Sequence, residues 1–256
     1  MTQRVVALAF DGVDGAHDVS SRLGDSDMET LLFQLRQLGY QTINSKTFRV
    51  WQHGTGTLPE RAVVLTFDQT PASHFDLVTL LHLRYRLSGT FFVTVEQVGR
   101  SGAMTWDQLR KLAFLGMEIG SRGMSPRPLS TLSPGALDEE LARSKHLLEQ
   151  QLGLPIRALA PQGRWNSTVA MAARRAGYDA VWVSTSGTNG RETNPQALRR
   201  VMVRHPVSVE RLISLVEGWH QTFWWAANPA FVIRGMKRAL GVYWYEQVKQ
   251  RLVPHA

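Results

Sequence analysis

Polar side chains that could carry chemistry follow three strand-like segments of this chain. Asp68 closes the apolar run AVVLTFD, Arg122 lies in MEIGSRG, and Gln162 follows IRALA in a Pro/Gly turn. In α/β barrels the reacting groups lie at the C-terminal ends of the strands. If the three segments are strands of one such barrel, these side chains lie on its functional face.

A second candidate site is the loop DGVDGAHD that follows the first apolar run. Asp11, Asp14 and Asp18 supply carboxylates and His17 supplies an imidazole. This donor set suits a hard or borderline divalent cation. Asp-Gly pairs are also ordinary turn chemistry, so a turn without any metal remains the alternative.

Several other chemistries lack their residues. The chain has no cysteine, which excludes a disulfide framework, a thiol nucleophile and any Cys-ligated metal centre. There is no G-x-S-x-G elbow, and neither Ser121 nor Ser125 has an obvious base beside it in the sequence. The glycine-rich GTGT segment is not followed by the Gly-Lys-Ser/Thr of a phosphate loop.

The elements that must position the candidate residues alternate between strand-like and helix-like segments. Alternation of this kind favours parallel strands with crossover helices. The strand-like segments are residues 5–10, 41–48 (a strand and a turn), 62–68, 89–95, 117–123, 156–163, 179–186 and 197–205. The helix-like segments are residues 28–40, 75–87, 105–116, 132–153, 167–178 and 207–219, and residues 187–196 read as a polar loop.

Length and charge limit the class of protein further. The 256 residues, 43% hydrophobic and 20% charged, are enough for one sizeable core. The net charge of +8 favours acidic partners, but no helix-turn-helix, zinc-finger or RNA-recognition signature is present, so no nucleic-acid partner is expected. The N-terminus lacks a signal-peptide core and no run of 18 apolar residues exists, so a cytoplasmic location is expected.

The segment from 62 to 186 resembles the polysaccharide deacetylase (NodB-homology, carbohydrate esterase 4) family. The resemblance rests on AVVLTFDQT, SGTFFVTVEQVG, TWDQLRKLAFLGMEIGSRGMSPRPLSTLS, ELARSKHLLEQQLGLPIRALAPQGRWN and AARRAGYDAVWV. Upstream, LLFQLRQLGYQTI is similar to the lead-in of the subgroup that deacetylates poly-N-acetylglucosamine. The resemblance implies an α/β fold, a distorted (β/α) barrel, over residues 1–218.

The same resemblance implies a metal-dependent amide hydrolysis whose ligands this chain has lost. In the family an aspartate acts as base beside a divalent metal held by one Asp and two His. Asp68 matches the base, while Gln69, Arg122 and Pro126 stand at the three ligand positions. His205 is the nearest candidate for the family's late acid. No cofactor is therefore expected, or zinc if the chain is active.

The substituted residues suggest what the pocket does instead. Arg122 brings a fixed positive charge to the place of a cation and can pair with Asp68. The alternative is a solvated loop residue without a role. Gln69, Gln162, Arg164 and Trp165 are candidate sugar contacts, because hydrogen-bonding side chains and an aromatic face suit a pyranose.

Residues 219–256 are expected to form an aromatic, basic helical extension beyond the barrel. A helix from 231 to 252 places apolar residues on one face with arginines and lysines beside them. Three occupants of that face stay open: the barrel itself, an anionic membrane surface and a partner protein. A membrane contact would make the protein membrane-peripheral.

Three functions remain in competition. The first is a protein without hydrolytic activity that binds a glycan or sugar-lipid in exopolysaccharide or cell-surface glycan biosynthesis. The second is an active deacetylase with a rearranged site, in which Asp68 is the base and Arg122 stabilises the oxyanion. The third is a structural subunit that docks through the C-terminal helix.

Overall fold

The computed structural model describes residues 3–11, 25–203 and 207–217. The strands in these ranges are β1 (Val5–Asp11), β2 (Gln41–Ile43), β3 (Ala62–Asp68), β4 (Thr90–Thr94), β5 (Glu118–Gly123), β6 (Ala158–Leu159), β7 (Ala180–Val183), β8 (Thr188–Asn189), β9 (Leu198–Arg199) and β10 (Val201–Val203). The helices are α1 (Asp25–Gln37), α2 (Ser45–Gln52), α3 (Ser73–Tyr85), α4 (Trp106–Phe114), α5 (Pro134–Leu152), α6 (Ser167–Arg175) and α7 (Val209–Glu217).

The strands form one sheet that curls into a nearly closed barrel. Its order is β10-β1-β3-β4-β5-β6-β7-β9, and neighbouring strands along this path are parallel. The two ends of the path are consecutive in the chain, with Arg200 alone between them. The predicted α/β barrel is therefore confirmed, and Arg200 lies where its two sheet edges approach each other.

The strands are buried because helices cover the outside of the barrel and side chains fill its inside. Every residue of β3 and β4 is buried, as expected for parallel strands covered on both faces. Inside the N-terminal half, Val5, Val64 and Trp182 belong to one apolar cluster. The sequence pattern of continuous apolar runs thus has a direct structural cause.

Helix α2 closes the N-terminal end of the barrel. Of the strand and turn predicted over 41–48, the strand is confirmed by β2, but the residues from Ser45 onward form the start of α2. Asn44 caps this helix by accepting a hydrogen bond from the backbone N–H of Thr47 at 2.9 Å. Phe48 packs against Trp182 with 5.5 Å between ring centroids. The indole N–H of Trp182 donates to Ser45 Oγ at 2.8 Å. The helix forms because its aromatic side fills the open end of the barrel.

Two further segments differ from the sequence-based expectation. The polar loop 187–196 contains β8, which runs antiparallel to the start of β1. The single strand expected over 197–205 is interrupted at Arg200, whose backbone N–H bonds to the carbonyls of Val183 and Thr185. Because β9 pairs with β7 and β10 pairs with β1, the chain changes neighbours at this residue.

Other boundaries agree with the capping signals in the sequence. Thr105 and Gln108 form a reciprocal capping box at the start of α4. Helix α5 begins after Ser133 and ends at Gly153, which adopts the left-handed conformation with φ of 67°.

The chain divides into two units, Met1–Val209 and Glu210–Ala256. The first contains the sheet and α1 to α6, and the second is described as far as residue 217. None of the described helices is long and apolar enough to cross a membrane. The helical extension expected at 219–256 lies outside the described residues, and the boundary between 218 and 219 stays a prediction.

Candidate functional site

The C-terminal ends of the strands bring together one carboxylate and two guanidinium groups. Asp68 ends β3, Arg122 lies near the end of β5, and Arg200 separates β9 from β10. Their relative exposures are 1%, 7% and 0%, so this is a buried charge cluster. We call these three residues the Asp68 cluster.

Both carboxylate oxygens of Asp68 are occupied. Arg200 binds in a bidentate manner, with Nη1 donating to Oδ1 at 2.5 Å and Nη2 donating to Oδ2 at 3.1 Å. Arg122 Nη1 forms an ion pair with Oδ2 at 2.5 Å. The predicted pairing of Arg122 with Asp68 is confirmed. The bidentate binding by Arg200 is among the strongest arginine–carboxylate arrangements.

The electrostatics of the cluster keep Asp68 ionised. Burial alone would raise the pKa of Asp68, but the charges of Arg200 and Arg122 outweigh it, so the pKa lies below its ordinary value. A carboxylate of lowered pKa with both oxygens engaged is a poor proton acceptor.

Each arginine is held in place by further contacts. Arg122 Nε donates to Gln162 Oε1 at 3.0 Å. Arg200 Nη1 also donates to Thr66 Oγ1 at 3.2 Å, and its guanidinium lies over the ring of Phe92, 5.4 Å from the centroid. The cluster is therefore preorganised by β3, β4 and the turn after β6.

Gln69 adopts a strained backbone conformation directly after Asp68. Its φ of 64° lies in the left-handed region, which a non-glycine residue rarely adopts. Such positions concentrate at functional sites because the surrounding structure must hold them. Here the conformation comes directly after the last residue of β3.

The residues at the three ligand positions implied by the family resemblance do not fit a divalent cation. The guanidinium of Arg122 cannot ligate a metal, and the exposed Pro126 has no side-chain donor atom. Gln69 supplies at best an amide oxygen, which is a weak ligand for zinc. Among the described residues no group of three His, Asp or Glu side chains could hold a metal ion.

The turn after β6 places the candidate sugar contacts at different depths. Gln162 reaches the Asp68 cluster through Arg122, whereas Arg164 and Trp165 are exposed. The turn is fixed by a hydrogen bond from the N–H of Leu129 to the carbonyl of Gln162 at 3.0 Å. The indole of Trp165, 40% exposed, is accessible to a ligand.

Several predicted residues lie outside the described part of the chain. These are Asp14, His17, Asp18, His205 and the side chain of Asp11. The alternative metal site at Asp11, Asp14 and His17 therefore stays a prediction, as does any role of His205.

Arg200 is the site residue that the sequence analysis missed. The segment LRRVMV holds two adjacent arginines, and alternation along a strand places one of the two on the inner face. The structure shows that the buried one is Arg200. A buried arginine needs an anionic partner, and Asp68 ends a neighbouring part of the sheet.

Comparisons with known proteins agree with this architecture. Residues 55–181 match the family model described as polysaccharide deacetylase. The polysaccharide deacetylase-family protein YxkH of Bacillus subtilis is 26% identical over 192 residues, covering 73% of this chain and 69% of that protein. A peptidoglycan-N-acetylglucosamine deacetylase of Bacillus cereus is 28% identical over 123 residues, covering 48% of this chain and 56% of that protein.

Solved structures show the same fold. The Streptococcus pyogenes deacetylase PplD superposes with a TM-score of 0.77 at 19% identity, covering 85% of this chain and 100% of that one. IcaB from Ammonifex degensii gives a TM-score of 0.73 at 23% identity, covering 84% of this chain and 97% of that one.

Proposed function

The chain contains a polysaccharide deacetylase domain, and we propose that it uses this domain to bind a glycan or sugar-lipid without hydrolysing it. In this role it serves as an accessory protein of exopolysaccharide or cell-surface glycan biosynthesis. The observation that carries the proposal is the Asp68 cluster, in which arginine side chains occupy both oxygens of the carboxylate at the base position.

The geometry supports binding over hydrolysis for a chemical reason. Hydrolysis with Asp68 as base requires this carboxylate to take a proton from water, and Arg122 would have to leave it to stabilise an oxyanion. Instead, Arg122 is tied to Asp68 at 2.5 Å and to Gln162 at 3.0 Å. Both groups that the active alternative needs are therefore bound to each other.

The glycan contacts in this proposal come from the turn after β6. The exposed indole of Trp165 offers an apolar face for a pyranose ring, and Arg164 offers hydrogen-bond donors beside it. Gln162 connects this surface to the Asp68 cluster through its bond to Arg122.

The decisive experiment measures bound metal, deacetylation and glycan binding on one preparation of the full chain. We expect no stoichiometric zinc, cobalt, nickel or manganese after each metal is offered, and no acetate released from N-acetylglucosamine oligomers. We also expect saturable oligosaccharide binding that Trp165→Ala weakens. One equivalent of metal together with acetate release would overturn the proposal and establish the active alternative.

A restoration variant tests the assignment of the ligand positions. Gln69→Asp, Arg122→His and Pro126→His together return the family's donor set to this scaffold. Gain of tight zinc binding, measured by calorimetry, is the expected result. A folded variant that binds no zinc would show that the three positions have been aligned incorrectly.

The place of action is also part of the proposal. We propose a cytoplasmic protein whose C-terminal extension docks on a membrane surface or a partner protein. Removal of residues 219–256 should then release the protein from sedimenting membranes while leaving oligosaccharide binding unchanged.

A further inference from the structure

A cavity of about 560 Å³ opens at the N-terminal end of the barrel, at the opposite strand ends from the Asp68 cluster. Its walls come from α2, the end of α4, the segment between α5 and β6, and the residue before β7. Cavities that bind small molecules have volumes of several hundred Å³. The size therefore suits a small organic ligand.

The carboxylates of this cavity are already engaged. Arg49 Nη2 donates to Glu118 Oε1 at 2.8 Å, and its Nη1 donates to Asp179 Oδ2 at 3.2 Å. Glu118 Oε2 accepts further hydrogen bonds from the backbone N–H of Lys46 at 2.5 Å and from Thr90 Oγ1 at 3.2 Å. Arg49 is thus bound to both carboxylates of the cavity.

Two cationic side chains remain at the cavity. The ammonium group of exposed Lys46 forms no ion pair with a described carboxylate. Arg157 Nη1 lies 3.8 Å from Asp179 Oδ2, and about half of its side chain, 49%, is exposed. Three cationic side chains, with Arg49, therefore face two carboxylates, which gives the cavity an excess of positive charge.

The rest of the wall holds the polar residues Asn44, His53 and Thr55 and an apolar part. Val50 and Leu154 line the cavity and are 40% and 45% exposed, and Pro155 and Ile156 continue this surface. Exposed aliphatic side chains around a concave surface favour a ligand with an apolar body.

We propose that this cavity is a binding site for a small organic anion that combines one negatively charged head group with an apolar body. The head group lies near Lys46 and Arg157, and the apolar body packs on Val50 and Leu154. The site is separate from the glycan face and does not depend on the function proposed for that face.

The test uses 8-anilinonaphthalene-1-sulfonate, a fluorescent anion with an apolar body, and the full chain at neutral pH. We expect saturable binding of one equivalent, displaced by decanoate or by decyl phosphate. Displacement by either compound supports the site, and the relative strength of the two identifies carboxylate or phosphate as the preferred head group.

Matched variants locate the binding. Ala113→Trp fills the cavity and should abolish saturable binding, whereas Met171→Trp, on the exposed face of α6, should not change it. Lys46→Gln and Arg157→Gln should each weaken binding of the anion by about threefold, as expected for an exposed charge pair. Lys111→Gln, which removes an exposed lysine outside the cavity, is the control.

Two outcomes would overturn the proposal. One is that the original protein and a folded Ala113→Trp variant bind the fluorescent anion with equal affinity. If Ala113→Trp does not fold, Val50→Trp is used in its place. The other is that Lys46→Gln and Arg157→Gln weaken binding of the uncharged analogue N-phenyl-1-naphthylamine as much as binding of the anion. A neutral ligand should not respond to the loss of these charges.

Discussion

The two arginines of the Asp68 cluster contribute unequally at the scale of single residues. Arg200 binds both oxygens of Asp68 and is fully buried, whereas Arg122 contacts one oxygen and retains slight exposure. Removing one partner of a buried charge pair leaves the other charge unpaired, and that penalty dominates the effect on stability. Arg200 is therefore the principal electrostatic support of Asp68.

The first prediction follows from this asymmetry. Arg200→Met should lower the free energy of unfolding by about 3 to 5 kcal/mol. Arg122→Met should lower it less, by about 1.5 to 3 kcal/mol, because Arg200 still pairs with Asp68. Urea denaturation measures both. Arg164→Met, at an exposed arginine of the same face, should stay within about 0.5 kcal/mol. An Arg122 variant that is the less stable of the two would contradict this ranking.

The second prediction concerns acid. Because the pKa of Asp68 is lower in the folded protein, ionised Asp68 stabilises the fold above the unfolded-state pKa of about 3.9. This stabilisation is lost as the pH falls from that value through the lowered pKa. The difference in unfolding free energy between the original protein and Asp68→Asn should therefore be constant above about pH 5 and shrink below about pH 4. A difference for Asp68→Asn that stays constant down to pH 3 would refute the assignment.

Only some residues of the Asp68 cluster can be predicted from the sequence. The pairing of Asp68 with Arg122 was predictable from the family resemblance, because Asp68 matches the base and Arg122 stands at a position of the neighbouring cation's ligands. Arg200 was not identified, because LRRVMV reads as one strand and the sequence does not state which arginine faces inward. The inward direction depends on where the two sheet edges approach each other, which is a property of the closed fold.

At the scale of elements, α2 is the part whose role only the structure reveals. Asn44 is a good cap, but the segment that follows is short and rich in residues that also suit strands. The helix is fixed by packing of Phe48 and Trp51 inside the barrel end, and tertiary packing overrides weak local preference. The longer helices α4 and α5 were predictable because their caps are encoded locally.

The third prediction tests this packing. Phe48→Ala should lower the free energy of unfolding by about 3 to 5 kcal/mol, because it leaves a cavity against Trp182. Phe114→Ala removes the same side chain from a position that is 92% exposed, and should change stability by less than about 0.5 kcal/mol. Equal effects in thermal or urea unfolding would show that α2 does not support the barrel.

At the scale of the whole molecule, the two ends of the sheet are β9 and β10, which are separated in the chain by Arg200 alone. Strands β1 and β10 pair over Leu8 to Phe10 and Val201 to Val203, while β9 pairs with β7 on the other side of Arg200. The barrel seam, defined as β9, Arg200 and β10, is thus tied to β3 through the side-chain bonds from Arg200 to Asp68 and Thr66.

The fourth prediction follows from this link. Arg200→Ala should increase amide hydrogen exchange at the β1–β10 pairing more than at the β4–β5 pairing, by a ratio of at least about tenfold. Under native conditions the β4–β5 amides report the general loss of stability and serve as the internal reference. A uniform increase across both regions would show that Arg200 supports the molecule as a whole and has no particular effect on the seam.

The bidentate bond between Arg200 and Asp68 has a consequence for how this sequence can change over time. Because Arg200 binds both carboxylate oxygens, the charge of Asp68 keeps a partner when an uncharged residue stands at position 122. Substitutions at the neighbouring strand end can then accumulate without unfolding the barrel. A lineage with this arrangement can lose one chemistry and acquire another by single mutations, each of which yields a folded protein on which selection can act.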